Sequence, residues 1–268
     1  MSIAGTTQFQ AGRMAEAISE ATAAVKRKPV DSTARFFLAE LLAFAGELQR
    51  ADGQLDIATQ QEPEWAVALS AFRQLLRGEM LRQRLYVDGD LPMQMPATTT
   101  DEARLRLEAI VCLRVGQFHE AKTLIDQADA QRKPLRGKCD GQTFEDLRDL
   151  DDCLGGMFEV LTSNGTYYWL PFSAMLEIEM RPPKRPRDML WRSARLLMRD
   201  GAEAEVHVPA LYVSPLPTVD EATRLGRCTD WHTLEGGVVR GLGQKTLLVG
   251  DRDVPIMRVQ SIEFESEN

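Results

Sequence analysis

The chain has 268 residues, is 44% hydrophobic and 27% charged, and carries a formal net charge of −8. That length suits two ordinary domains with sizeable cores, and the acidic balance argues against a dedicated nucleic-acid binder, which needs a basic surface to meet phosphate. No apolar run approaches the ~20 residues that span a bilayer, the first ten residues lack the basic start and apolar centre of a secretory signal, and four scattered cysteines without a CxxC pair read as reduced thiols.

The first elements are a repeat. Gly12, Ala17, Ala24 and Pro29 recur as Gly46, Ala51, Ala58 and Pro63, each at an offset of 34, the tetratricopeptide period. A third copy reads Gly116, Ala121, Ala128 and, one residue late, Pro134. The glycine permits a left-handed turn between helix A and helix B. The first alanine lets the two helices approach closely, the second lies on the same face two turns on, and the proline stops helix B. Helix A of the second repeat is expected over residues 31–45 and its helix B over 48–61; helix A of the third is expected over 101–115, capped by Thr100 or Asp101. Between them, residues 64–85 read as a degenerate repeat or one long helix. A loop with Gly89, Pro92 and Pro96 follows over 87–99.

Stacked repeats leave their A helices lining a concave groove. Inward positions project Phe36, Glu40 and Phe44 from the second repeat and Arg106, Ile110 and Arg114 from the third. These six are the candidate partner-binding residues. Such a groove takes a peptide or a helix; the competing reading puts the two Phe in the core and the charges in solvent.

A polar linker over 133–143 leads to a different pattern. Phe144–Leu150 reads as a short helix. Short apolar runs then alternate with turn residues: 157–161, Asn164-Gly165, 167–170 and 175–180, with further strands expected at 194–198, 204–208, 246–249 and 256–259. Asn-Gly between apolar runs is a hairpin signal, and Asp200-Gly201 and Gly250-Asp251 suggest two more turns. The fold class is therefore a tetratricopeptide-like α-α superhelix over 1–135 followed by a small, mostly antiparallel β domain over 136–268.

Little chemistry stands out. Asp146, Asp149, Asp151 and Asp152 could hold a divalent cation through oxygen ligands, or form a helix end with capping carboxylates. A metal-dependent enzyme built on them is the alternative function. Gly241–Thr246 lacks the spacing of a phosphate loop. His119, His207 and His232 are far apart. Lys184, Arg185 and Arg187, among prolines, read as a solvated loop or a contact for an acidic partner, and Trp169, Trp191 and Trp231 as core.

The strings Asp146–Asp152, Phe158–Gly165, Tyr167–Pro171, Pro182–Asp188 with Trp191, Pro209–Tyr212, Arg224–Arg227, Thr229–Trp231 and Gly241–Gln244 resemble the ImpE family, also called TagJ or SciE-type virulence proteins. The resemblance implies an N-terminal tetratricopeptide-like region and a non-enzymatic accessory role in a bacterial type VI secretion system. It further implies a cytoplasmic protein of a Gram-negative bacterium, without cofactor. Its partner would be the small subunit of the contractile sheath, met through a helix near that subunit's N-terminus, and indirectly the system's AAA+ ATPase.

Overall fold

Three copies of one turn organise the helices of this computed structural model, whose described residues are 3–90, 100–213 and 220–265. Gly12, Gly46 and Gly116 adopt φ of 82°, 76° and 76°. In each turn the next residue's N–H reaches back five positions, as from Glu47 to Leu42 and from Gln117 to Cys112. This is the Schellman closure, which a left-handed glycine makes without strain. The glycines separate α1 (Thr6–Gln10) from α2 (Met14–Arg27), α3 (Ser32–Phe44) from α4 (Leu48–Gln61), and α6 (Asp101–Arg114) from α7 (Phe118–Gln131). Ala17, Ala51 and Ala121 have no exposed surface, as close helix packing demands. Asp31 and Thr100 cap α3 and α6 through their side chains. Residues 64–85 resolve into one long helix, α5 (Ala66–Val87), entered through a 3-10 turn at Pro63–Trp65. Most of the loop expected over 87–99 lies outside the described residues.

The second half is β-rich: β1 (Gly137–Cys139), β2 (Gln142–Phe144), β3 (Leu147–Asp149), β4 (Met157–Thr162), β5 (Tyr167–Pro171), β6 (Met175–Met180), β7 (Trp191–Met198), β8 (Glu203–Pro209), a short α8 (Glu221–Arg224), β9 (Thr229–Thr233), β10 (Val239–Gly243), β11 (Thr246–Val249), β12 (Arg252–Pro255) and β13 (Ser261–Phe264). An antiparallel eight-stranded sheet runs in the order β2-β1-β13-β6-β7-β8-β4-β5. A three-stranded sheet, β12-β11-β3, packs against one of its faces, and β9 and β10 form a separate ribbon. The turns at Gly165, Gly201 and Gly250 fall between strands as expected, with φ of 79°, 85° and 63°.

Three expectations need correction. Phe144–Leu150 is not helical: it holds the end of β2 and all of β3, whose pairing with β11 outweighs local helix propensity. Residues 256–259 are a turn between β12 and β13; Ile256 and Val259 are apolar because that turn packs inward. The linker over 133–143 contains β1 and half of a hairpin closed by Asp140-Gly141, both at positive φ.

Two cores result. One lies between the sheets and holds Phe158, Val160, Phe172, Leu196 and Leu247. The other joins Leu69, Phe72, Leu76 and Ile110 of the helices to Met157, Leu161, Trp169 and Trp191 of the strands. Strand β4 explains the division: alternate residues point to opposite faces, so Met157 and Leu161 meet the helices while Phe158 and Val160 meet the inner core.

Candidate functional site

The repeat groove is filled by the chain's own β half. The 3-10 turn Pro186–Met189, which precedes β7, enters it. The Arg187 guanidinium sits over the rings of Phe36 (5.3 Å) and Phe72 (4.8 Å), and Trp191 packs against Phe72 with ring centroids 6.2 Å apart. Glu40 lies beside Arg187 and is only 3% exposed. Burial pushes its carboxyl up to about 7, against the pull of Arg187's charge and backbone N–H. Arg187, expected in a solvated loop, is therefore buried; Lys184 and Arg185 are exposed.

Arg106 is the second anchor and has no exposed surface. It donates from Nε to Glu102 at 3.0 Å, from Nη1 to the Asp152 carbonyl at 2.6 Å and from Nη2 to Asp129. Glu102 in turn accepts from the Gly156 N–H at 3.0 Å. Ile110 is buried beside it. Of the six candidate residues, then, Phe36, Glu40, Arg106 and Ile110 meet the helical–β joint. Phe44 lines an open cleft, and exposed Arg114 donates to the Val87 carbonyl on that cleft's rim at 2.9 Å.

A third anchor escaped sequence reading. Glu159 of β4 has no exposed surface. It accepts two hydrogen bonds from Arg82 of α5, at 3.0 and 2.9 Å, and others from Tyr86 (3.0 Å), Tyr167 and Lys245. Burial opposes its ionisation, yet Arg82 and Lys245 outweigh burial and hold the carboxyl well below the usual range. Arg82 also binds Glu79, which accepts from Trp191 Nε1 at 3.0 Å. Lys245 belongs to Gly241–Thr246, the segment without phosphate-loop spacing, and leads directly into β11.

The acidic run lies on β3 and the turns around it, and each carboxylate is turned to a protein partner. Asp146 pairs with Arg132 at 2.7 and 2.6 Å. Asp149 accepts from Tyr212 at 2.7 Å, and Asp151 from Arg240 at 3.0 and 2.9 Å and from the Gly241 N–H. Asp152 accepts from the Val239 N–H at 2.8 Å. Among the described residues no three His, Cys, Asp or Glu side chains are placed to hold a metal ion. The run thus ties β3 to β10 and the 211–213 segment rather than forming an exposed helix end. Trp169 and Trp191 are buried; Trp231, expected in the core, is 38% exposed and leans on Tyr212.

The cleft between the halves has a volume of about 290 Å³. Phe44, Leu190, Trp191 and Val213 form apolar walls, Val87 and Arg224 the rim, and Glu79 and Arg82 the floor. Because the floor charges are already bonded to each other, to Glu159 and to Trp191, the cleft offers apolar surface more than chemistry, which suits a partner's side chains.

The family model described as ImpE protein matches residues 141–263. The chain is 28% identical over 257 residues to the type VI secretion system accessory component TagJ of Pseudomonas aeruginosa, covering 96% of this chain and 89% of that protein. The crystal structure of protein VPA1032 from Vibrio parahaemolyticus is similar with a TM-score of 0.91 and 25% sequence identity, covering 98% of each chain.

Proposed function

We propose that this chain, which belongs to the ImpE family, is a non-enzymatic accessory protein of a type VI secretion system, acting in the cytoplasm. The observation that carries this reading is the likeness to TagJ along 96% of the chain, which takes in both the repeats and the β half. All four acidic-run carboxylates, Asp149 and Asp151 buried and Asp146 and Asp152 half-buried, are engaged in internal bonds, which speaks for a binding protein over a metal enzyme.

The finer reading is a partner. The small subunit of the contractile sheath would offer a helix near its N-terminus, and through it the protein would meet the AAA+ ATPase indirectly. The seat we propose is the cleft, entered over Val87, with Phe44 on one wall and Arg114 at the rim. A helix burying ~600–800 Å² per side gives transient, micromolar-range binding. The change of architecture near residue 135 separates two parts that we propose act as one unit, since Arg82, Arg106 and Arg187 join them.

Fluorescence anisotropy with the full chain and a labelled peptide of that sheath helix tests the seat. Val87→Asp and Val213→Asp should each weaken binding roughly tenfold or more, and Val87→Asp, at an exposed position, should leave Tm unchanged. Wild-type affinity in both variants would remove the cleft from the reading. A wild-type chain that neither binds the peptide nor co-purifies with the small subunit would remove the partner.

A further inference from the structure

We propose that the space bounded by Phe36, Phe72 and Glu40 is a guanidinium-binding site, filled in this conformation by the chain's own Arg187 and open to an arginine side chain of a protein partner when the Pro186–Met189 turn lifts. The chemistry of the seat is specific. Two aromatic faces lie 5.3 and 4.8 Å from the guanidinium carbon, a geometry that suits a planar, weakly hydrated cation better than a compact ammonium. Glu40 supplies a buried carboxyl at the edge of the seat.

The present occupant fits incompletely. Arg187 Nη1 and Glu40 Oε1 are both buried without a hydrogen-bond partner. Among the described residues, no carboxylate oxygen lies within 4.0 Å of the Arg187 guanidinium, whereas Arg82 pairs with both Glu79 and Glu159. A cation that is stacked but not fully bonded leaves desolvation uncompensated, so its seat is open to competition. His207 Nδ1 is a further buried atom without a partner; the charged groups around it are Asp188, Arg187 and Glu205, and those around Glu40 are Arg187, Asp188 and Arg185.

The occupant can also leave as a unit. Its turn is held by local bonds: Asp188 accepts from the backbone N–H of Lys184 at 2.8 Å and of Arg185 at 3.0 Å. Residues 181–185 before it are exposed and include Pro182 and Pro183. Neither of the Asp188 bonds involves the groove, so lifting the turn breaks the Arg187 N–H bond to Glu40 but need not unfold the turn itself. The site is distinct from the cleft and does not depend on the sheath reading.

The test empties the seat and refills it. Arg187→Ala in the full chain should lower Tm by about 5 °C, and millimolar methylguanidinium should restore part of that loss saturably. Methylammonium at equal ionic strength should not. A labelled peptide of residues 181–191 should bind Arg187→Ala roughly tenfold or more tighter than wild type, and its counterpart with Ala at the Arg187 position should not. Adding Phe36→Leu should abolish both effects. If Arg187→Ala does not fold, Arg187→Met, which keeps the apolar stem, carries the same measurements. Equal responses to the two cations, or equal peptide affinity for wild type and variant, would overturn the proposal.

Discussion

Glu159 and Glu40 both join the repeat helices to the β half, and they are held in opposite ways. Glu159 faces two cations and two phenols and is kept ionised although no part of it is exposed. Glu40 feels the charges of Arg187 and Arg185, but its Oε1 is left without a hydrogen-bond partner, and burial pushes it up to about 7. A buried charge is permanent where its lone pairs are matched and labile where they are not. The joint around Glu159 should therefore hold under conditions that loosen the joint around Glu40.

The largest expected effect breaks the strong joint. Glu159→Ala leaves Arg82 and Lys245 buried without their shared counter-charge, a change that costs about 3–5 kcal/mol. Tm should fall by roughly 10 °C or more in a thermal scan. A loss under about 1 kcal/mol would mean that water or Glu79 compensates, and the contrast with Glu40 would fail. Arg106→Met comes next. It keeps much of the apolar stem but leaves the Asp152 carbonyl and Glu102 short of donors, for about 2–3 kcal/mol. Urea denaturation should show a lower midpoint at unchanged slope.

What the sequence disclosed, and what it hid, follows the same contrast. The glycine, alanine and proline of each repeat act within one hairpin, so Gly46, Ala51 and Pro63 could be read at sight. Asn164-Gly165 and Asp200-Gly201 likewise carry their turns locally. Arg187 could not be read that way: it sits among exposed prolines, and its stacking partners Phe36 and Phe72 are more than 100 positions away. Glu159 looked like one polar residue in an apolar strand, and its meaning rests on Arg82 and Lys245, 77 and 86 positions distant. Projecting Phe36, Glu40, Arg106 and Ile110 onto an inward face does not disclose that the chain itself covers that face, with Arg187 over Phe36 and the Asp152 carbonyl on Arg106.

The smallest expected effect separates the two carboxylates by pH. Glu40 is raised from its ordinary 4.5 to about 7. A carboxyl whose folded pKa is raised favours the fold fully below pH 4.5, and that contribution is lost as pH rises through about 7. Gln mimics the protonated form, so Glu40→Gln should match wild type near pH 5 and exceed it near pH 8 by roughly 2 kcal/mol. Asp149, also raised to about 7 by burial, is present in both proteins and cancels in the difference. His207 is shifted the other way, lowered by burial, so its contribution is present above 6.5 and lost on acidification; it too cancels unless Glu40→Gln moves it. Paired thermal scans from pH 5 to pH 8 give the difference directly. A constant offset between wild type and variant would show that Glu40 does not titrate in this window and would place it with Glu159 as a permanent charge.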